Sequence, residues 1–250
     1  MAPTMSRTAE YVVPLLATGF AITVLAVFVR VRPGAAATAA VRLLAVFVLA
    51  SEVAWWIYAP LHWHWSATHD LPFHLSDISP LVAAAALWWR RRLLVEVLYF
   101  WVLAGGVQAL LTPSIGDHFP GFVWWQYYAA HGGVLAAAIV LVVGLRIHPA
   151  RGAVLRVLAI TLGYTLLVAA VDAATGGNYM FLRHPPPGPT LLDLMGPWPW
   201  YLAGATGLCV VLFVALDAPF ALARRRANVK GQPVVTRRRS LGAVPPTHRR

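Results

Sequence analysis

Residues 69–92 read HDLPFHLSDISPLVAAAALWWRRR. A polar segment, His69–Pro80, enters a helix-forming apolar run, Leu81–Trp89, which stops at Arg90-Arg91-Arg92. An apolar run closed by arginines is the pattern of a helix ending at a membrane surface. His74, Ser76 and Asp77 then fall on the first turns of that helix, where polar groups are costly and usually have a job. A membrane fold, with a polar site at one end of its third span, is expected.

Outward from this stretch the apolar pattern repeats. The 250 residues are 59% hydrophobic and 12% charged, with a mean hydropathy of +0.66. That is more apolar surface than a soluble domain of this size can hide. A spanning helix needs roughly 20 mostly apolar residues. Seven segments qualify, about 11–29, 38–60, 75–89, 93–111, 122–145, 153–172 and 199–220, the third being short. Pro33-Gly34, the arginine triplet, Pro113, Pro149 and the Pro-rich 185–199 region punctuate them. The first span has no basic leader and runs into Arg30 and Arg32, so it reads as a retained helix rather than a signal peptide.

Charge placement gives an orientation. All 20 Lys and Arg except Arg7 and Arg183 fall on alternate loops (the first, third and fifth) or on the tail. By the positive-inside rule the N-terminus is outside and the C-terminus cytoplasmic. A net charge of +11 would suggest nucleic acid in a soluble protein; here its placement accounts for it, and no nucleic-acid partner is expected. Residues 1–223 are read as the transmembrane domain. Residues 224–250 are read as a basic, disordered tail near anionic headgroups. The single cysteine, Cys209, excludes a disulfide framework and a Cys-rich metal site.

With this topology most of the polar residues gather in the outer half: Glu52, His62, His64, His69, His74, Ser76, Asp77, Gln108, Gln126, Tyr127, Tyr128, His131, Asp172, Asn178, Tyr179 and Arg183. The inner exceptions, Glu96 and Asp217, have arginines nearby. One polar cavity opening outward is expected. Trp124, Tyr127 or Tyr128, and His131 share a helical face by spacing. A neutral, buried His131 could act as a general base if Asp77, Glu52 or Asp172 oriented it.

Simpler roles compete. His131 could hydrogen-bond a neighbouring helix, Ser76 and Asp77 could cap the third span, and Gly105-Gly106 fits a close helix–helix contact better than a ligand site. The tryptophans read mostly as an interfacial belt. The histidine spacing His62-x-His64, His69 and His74 is too loose for a metal site, and neither metal nor other cofactor is expected. There is no G-x-S-x-G elbow, so a Ser–His pair depends on three-dimensional proximity.

Several strings taken together resemble a known family. His74-Leu75-Ser76-Asp77, Gln108 to Pro113, Trp125-Gln126-Tyr127 with His131, Asn178 to Leu182, and Gly196 to Tyr201 occur in the order seen in the YwaF-like bacterial integral membrane proteins. Residues 10–222 are covered. That family is similar to a eukaryotic multi-pass membrane protein that remodels ether phospholipids as an acyltransferase. The resemblance implies an acyl-carrying nucleophile at position 76, where the resembling proteins commonly carry Cys and this chain carries Ser76. Serine needs its base more than cysteine does, because an alkoxide is far harder to form than a thiolate.

An all-α bundle of seven transmembrane helices in the cell membrane is therefore expected, acting on membrane lipids. The leading function is a lipid acyltransferase or acyl hydrolase. Ser76 is its nucleophile, His131 its base, and Asp77 or Glu52 the orienting carboxylate. Gln108, Gln126 and Asn178 are offered as oxyanion donors, and His74, Tyr127 and Tyr179 as further contacts to a phospholipid substrate. The alternative is a non-enzymatic carrier or binder of a lipid or small polar solute in the same pocket.

Overall fold

A computed structural model describes residues 7–113, 115–188 and 190–231. All regular structure among these residues is helical. The long elements are α1 (Arg7–Val31), α2 (Ala35–His62), α3 (Leu75–Trp89), α4 (Arg92–Leu111), α5 (Phe122–Gly144), α6 (Ala153–Thr175) and α7 (Trp200–Gly231). Short 3-10 turns at Tyr179–Phe181 and Leu191–Met195 lie between α6 and α7.

Each expected apolar segment is helical, but only six of these helices are long and apolar enough to cross a membrane. The exception is α3. Its 15 residues rise about 22 Å, short of the roughly 30 Å hydrocarbon core. Its start is delayed because the preceding residues turn on themselves: the His69 and Asp70 N–H groups both donate to the Ser66 carbonyl, and Asp70 Oδ2 accepts the Ser66 N–H at 2.7 Å. Its end is set by Arg90, held at φ 52 with its N–H on the Ala86 carbonyl. The expected seven spans thus become six full-length helices and one short one. At the other end of the chain α7 runs to Gly231, past the boundary that composition suggests at 223, and residues 232–250 of the expected tail lie outside the described residues.

Burial identifies the centre. In α5, 67% of the most apolar stretch is buried inside the protein, against 11% in α6 and 6% in α7. Around α5 pack α1, α2, α3 and α4, with Val41, Val48, Leu87, Phe100, Ala137 and Leu141 in the shared core. Close approach is built from glycine. A Cβ at Gly132 would lie 3.0 Å from Thr18 Cγ2, and one at Gly133 would lie 3.0 Å from Val48 Cγ2. Helices without a hydrophobic drive between them associate through such small residues. Leu155, Leu162, Leu166, Val211 and Val214 face outward on α6 and α7, a surface that hydrocarbon solvates and water does not.

At the arginine-rich end a buried acid, Glu96, and a half-buried one, Asp217, are both paired. Glu96, 1% exposed, accepts from Arg156 Nη2 at 2.8 Å and from the Ala150 N–H at 2.8 Å. Asp217 accepts from Arg224 Nη2 at 2.7 Å.

Candidate functional site

The site begins with the first turn of α3. Asp77 accepts the His74 N–H at 3.0 Å, satisfying a backbone donor at the helix start, and its other oxygen accepts the Ser76 hydroxyl at 3.1 Å. One turn further, Ser79 is buried on the same helix. His74, Ser76 and Ser79 line a cavity of about 300 Å³ that His131 of α5 also lines. The predicted nucleophile and base therefore meet one cavity, although they lie 55 positions apart in sequence.

The walls are apolar and come from three further elements. Trp101, Val102, Gly105, Gly106 and Ala109 are supplied by α4, Ala130 and Val134 by α5, and Met180 and Phe181 by the turn after α6. Between Val102 and Gly106 the α4 backbone widens into a π-helical stretch, a rare geometry often found at functional sites. A Cβ at Gly105 would meet nothing within 4 Å, and one at Gly106 only Val102 of its own helix. The close helix–helix contact expected of this pair does not form. The glycines line open space instead.

His131 is held by its own helix, not by the neighbouring helix that its simpler role would require. Its Nδ1 lies 2.9 Å from the Tyr127 carbonyl, and its ring stacks on Tyr127 at 4.2 Å. A carbonyl can only accept, so Nδ1 carries the proton and Nε2 keeps a free lone pair. That is the tautomer a general base requires. His74 works in the opposite sense: its Nδ1 accepts the Met180 N–H at 3.2 Å, leaving Nε2 as its protonated nitrogen.

Met180 and Phe181 are the residues that sequence reasoning did not single out. Both are held in the left-handed region, at φ 54 and 56, which costs a non-glycine residue about 1–3 kcal/mol each. The segment persists because its surroundings over-determine it. Tyr179 N–H donates to buried Asp172 at 2.8 Å, Met180 N–H to His74, and the Tyr201 hydroxyl to the Phe181 carbonyl. Positions 180 and 181 carry neither Gly nor Asn, the residues that usually mark a left-handed conformation, so within the sequence only the quoted string Asn178 to Leu182 points to them.

The remaining predicted residues go elsewhere. Glu52 is buried in α2 with Oε1 unpartnered and does not line the cavity. Gln108 bonds Thr112 at 3.0 Å. Tyr127 donates to the Ala109 carbonyl at 2.6 Å. Asn178 closes its own loop through Arg183 and His184, and the Tyr179 phenol straps Leu71 to Ala67. Gln126 lines a separate groove between α1, α2 and α5, together with Trp124 and Tyr128. The shared face expected on α5 thus divides, Tyr127 and His131 to one side, Trp124 and Tyr128 to the other. Nor is there one polar cavity. His69, Asp70 and Asp77 line a distinct vestibule with Trp55, Trp56, Trp63 and Trp65, and His74 forms the wall common to both spaces. Among the described residues no three of His, Cys, Asp and Glu are placed to share a metal ion.

The model of the TMEM164 family matches residues 4–217. The chain belongs to that family and is a multi-pass membrane protein. No curated protein and no solved structure matches it.

Proposed function

We propose that this member of the TMEM164 family transfers or hydrolyses acyl groups of membrane lipids, with Ser76 as nucleophile and His131 as general base. One observation carries the reading: a single cavity with apolar walls is lined by a serine hydroxyl and by a histidine whose free nitrogen is Nε2. The similarity of the quoted strings to YwaF-like proteins, and through them to an ether-phospholipid acyltransferase, points the same way. In the proposed step Ser76 Oγ attacks the ester carbonyl carbon and its proton passes to His131 Nε2. The ester C–O bond then breaks, and the leaving lipid alkoxide takes the proton from His131. A second lipid hydroxyl or water, deprotonated by His131 Nε2, then attacks the acyl-Ser76 carbonyl carbon; the acyl–Oγ bond breaks, and Ser76 Oγ takes the proton back from His131. Asp77, bonded to the Ser76 hydroxyl, holds the nucleophile in place rather than orienting the base. An acyl chain of apolar character suits the walls from α4 and the 180–181 turn.

A second reading, a lipid binder or carrier, is favoured by the Ser76 hydroxyl pointing its hydrogen bond at Asp77 and by the widened α4 backbone. Acyl exchange by purified protein in lipid vesicles separates the two. Ser76→Ala and His131→Ala should each lower exchange by about 10²-fold or more, and Ser76→Cys should retain it, since a thiolate forms more readily. Full exchange in both alanine variants would sink the mechanism. Lipid binding with no exchange in the unmodified protein would establish the carrier.

A further inference from the structure

The arginines at the opposite end of the bundle are not equivalent. Arg156 is committed to Glu96, Arg224 to Asp217, and Arg42 lies 5.2 Å above the Trp88 ring. Arg30 and Arg146 have no carboxylate partner among the described residues. Both line a cleft of about 550 Å³ between the ends of α1 and α5 and the Phe220 turn of α7, with His148 beside them and Val142, Val143 and Phe220 as its apolar walls.

Two features hold the cations there. Arg30 donates one guanidinium N–H to the Val143 carbonyl at 3.2 Å, which fixes the side chain across the gap from α1 to α5. A guanidinium has five N–H groups, so the rest of the fork remains free. Arg146 follows the π-helical end of α5 in the left-handed conformation, φ 56, and that turn is fastened by the Ile147 N–H on the Leu141 carbonyl at 3.0 Å. The reversal brings Arg146 and His148, two positions apart, onto the same cleft. The His148 ring rests 5.1 Å from Phe220 of α7.

We infer that this cleft binds the phosphate of an anionic glycerophospholipid, clasped between Arg30 and Arg146. Paired forks match phosphate oxygens in geometry as well as charge. The apolar walls argue for a lipid over a free anion: Val143, in the cleft wall, is 50% exposed, a surface against which an acyl chain would lie beside its headgroup. The site is independent of the Ser76 cavity. His131 and Val143 are 12 residues apart on α5, about 18 Å along its axis.

Native mass spectrometry of the detergent-purified full chain, titrated with phosphatidylglycerol, phosphatidylcholine and inorganic phosphate, tests this. Phosphatidylglycerol should bind about ten-fold more tightly than phosphatidylcholine, on the order expected for two basic side chains at a lipid surface. The double variant Arg30→Gln/Arg146→Gln should lose most of that preference, whereas Arg91→Gln, at the same end but outside the cleft, should keep it. Equal affinity for the two lipids in the unmodified protein overturns the proposal without recourse to any variant. So does an unchanged preference in the folded double variant. Inorganic phosphate binding as tightly as phosphatidylglycerol would make this a free-anion site and overturn the lipid assignment.

Discussion

At the scale of single residues, Tyr179 shows how a side chain offered for substrate contact becomes part of the frame. Its phenol accepts the Leu71 N–H at 2.9 Å and donates to the Ala67 carbonyl at 2.8 Å. Burial pushes that phenol above its usual pKa, so it remains a protonated donor throughout the working pH range. Tyr179→Phe leaves one backbone donor and one acceptor unpaired, at a cost of about 1–3 kcal/mol. Thermal unfolding in detergent should register that loss while the KM for lipid stays near normal. An unchanged midpoint with a raised KM would return Tyr179 to substrate binding. Ser76 and His131 stand out in the sequence as protic groups in apolar surroundings. Whether Tyr127 or Tyr128 sides with His131 does not, because both spacings lie on one helical face and only the packing of α1 and α2 chooses between them.

Among the elements, the two glycine pairs of α4 and α5 look alike in sequence and differ in purpose. Gly133 sits where Val48, fully buried, and Phe47 of α2 leave 3.0 and 3.3 Å to an added Cβ. Gly133→Ala should destabilise the bundle by about 1–3 kcal/mol through overpacking. Gly105 faces the cavity with nothing within 4 Å, so Gly105→Ala should fold as well as the parent while its methyl narrows the cavity and lowers lipid exchange several-fold. Unfolding midpoints and exchange rates of the two variants check this. Equal destabilisation would restore Gly105 to the packing role that its sequence context suggests. The helix positions were legible from apolar runs and their Pro, Gly and Arg punctuation. The π-helical widening of α4 was not, since Val102–Gly106 carries no signal that separates it from ordinary helix, and α3 is shortened by turns that depend on Ser66 and Asp70.

For the molecule as a whole, the arginine distribution sets the two ends of the bundle against each other. The Ser76 cavity lies toward the start of α3 and the start of α5, and the Arg30–Arg146 cleft lies at the ends of α1 and α5. If the arginine-rich end is cytoplasmic, the Ser76 cavity, the proposed acyl site, opens to the outer leaflet and the proposed phosphate cleft to the inner one, where anionic lipids and their negative surface potential reside. The single cysteine, Cys209, makes this testable by labelling in a Cys209→Ser background. His64→Cys, in the exposed segment between α2 and α3, should react with a membrane-impermeant maleimide on intact cells. Arg91→Cys, between α3 and α4, should react only after the membrane is opened. The reverse pattern would place the serine cavity on the cytoplasmic side, and the lipid substrate proposed for it would then have to come from the inner leaflet.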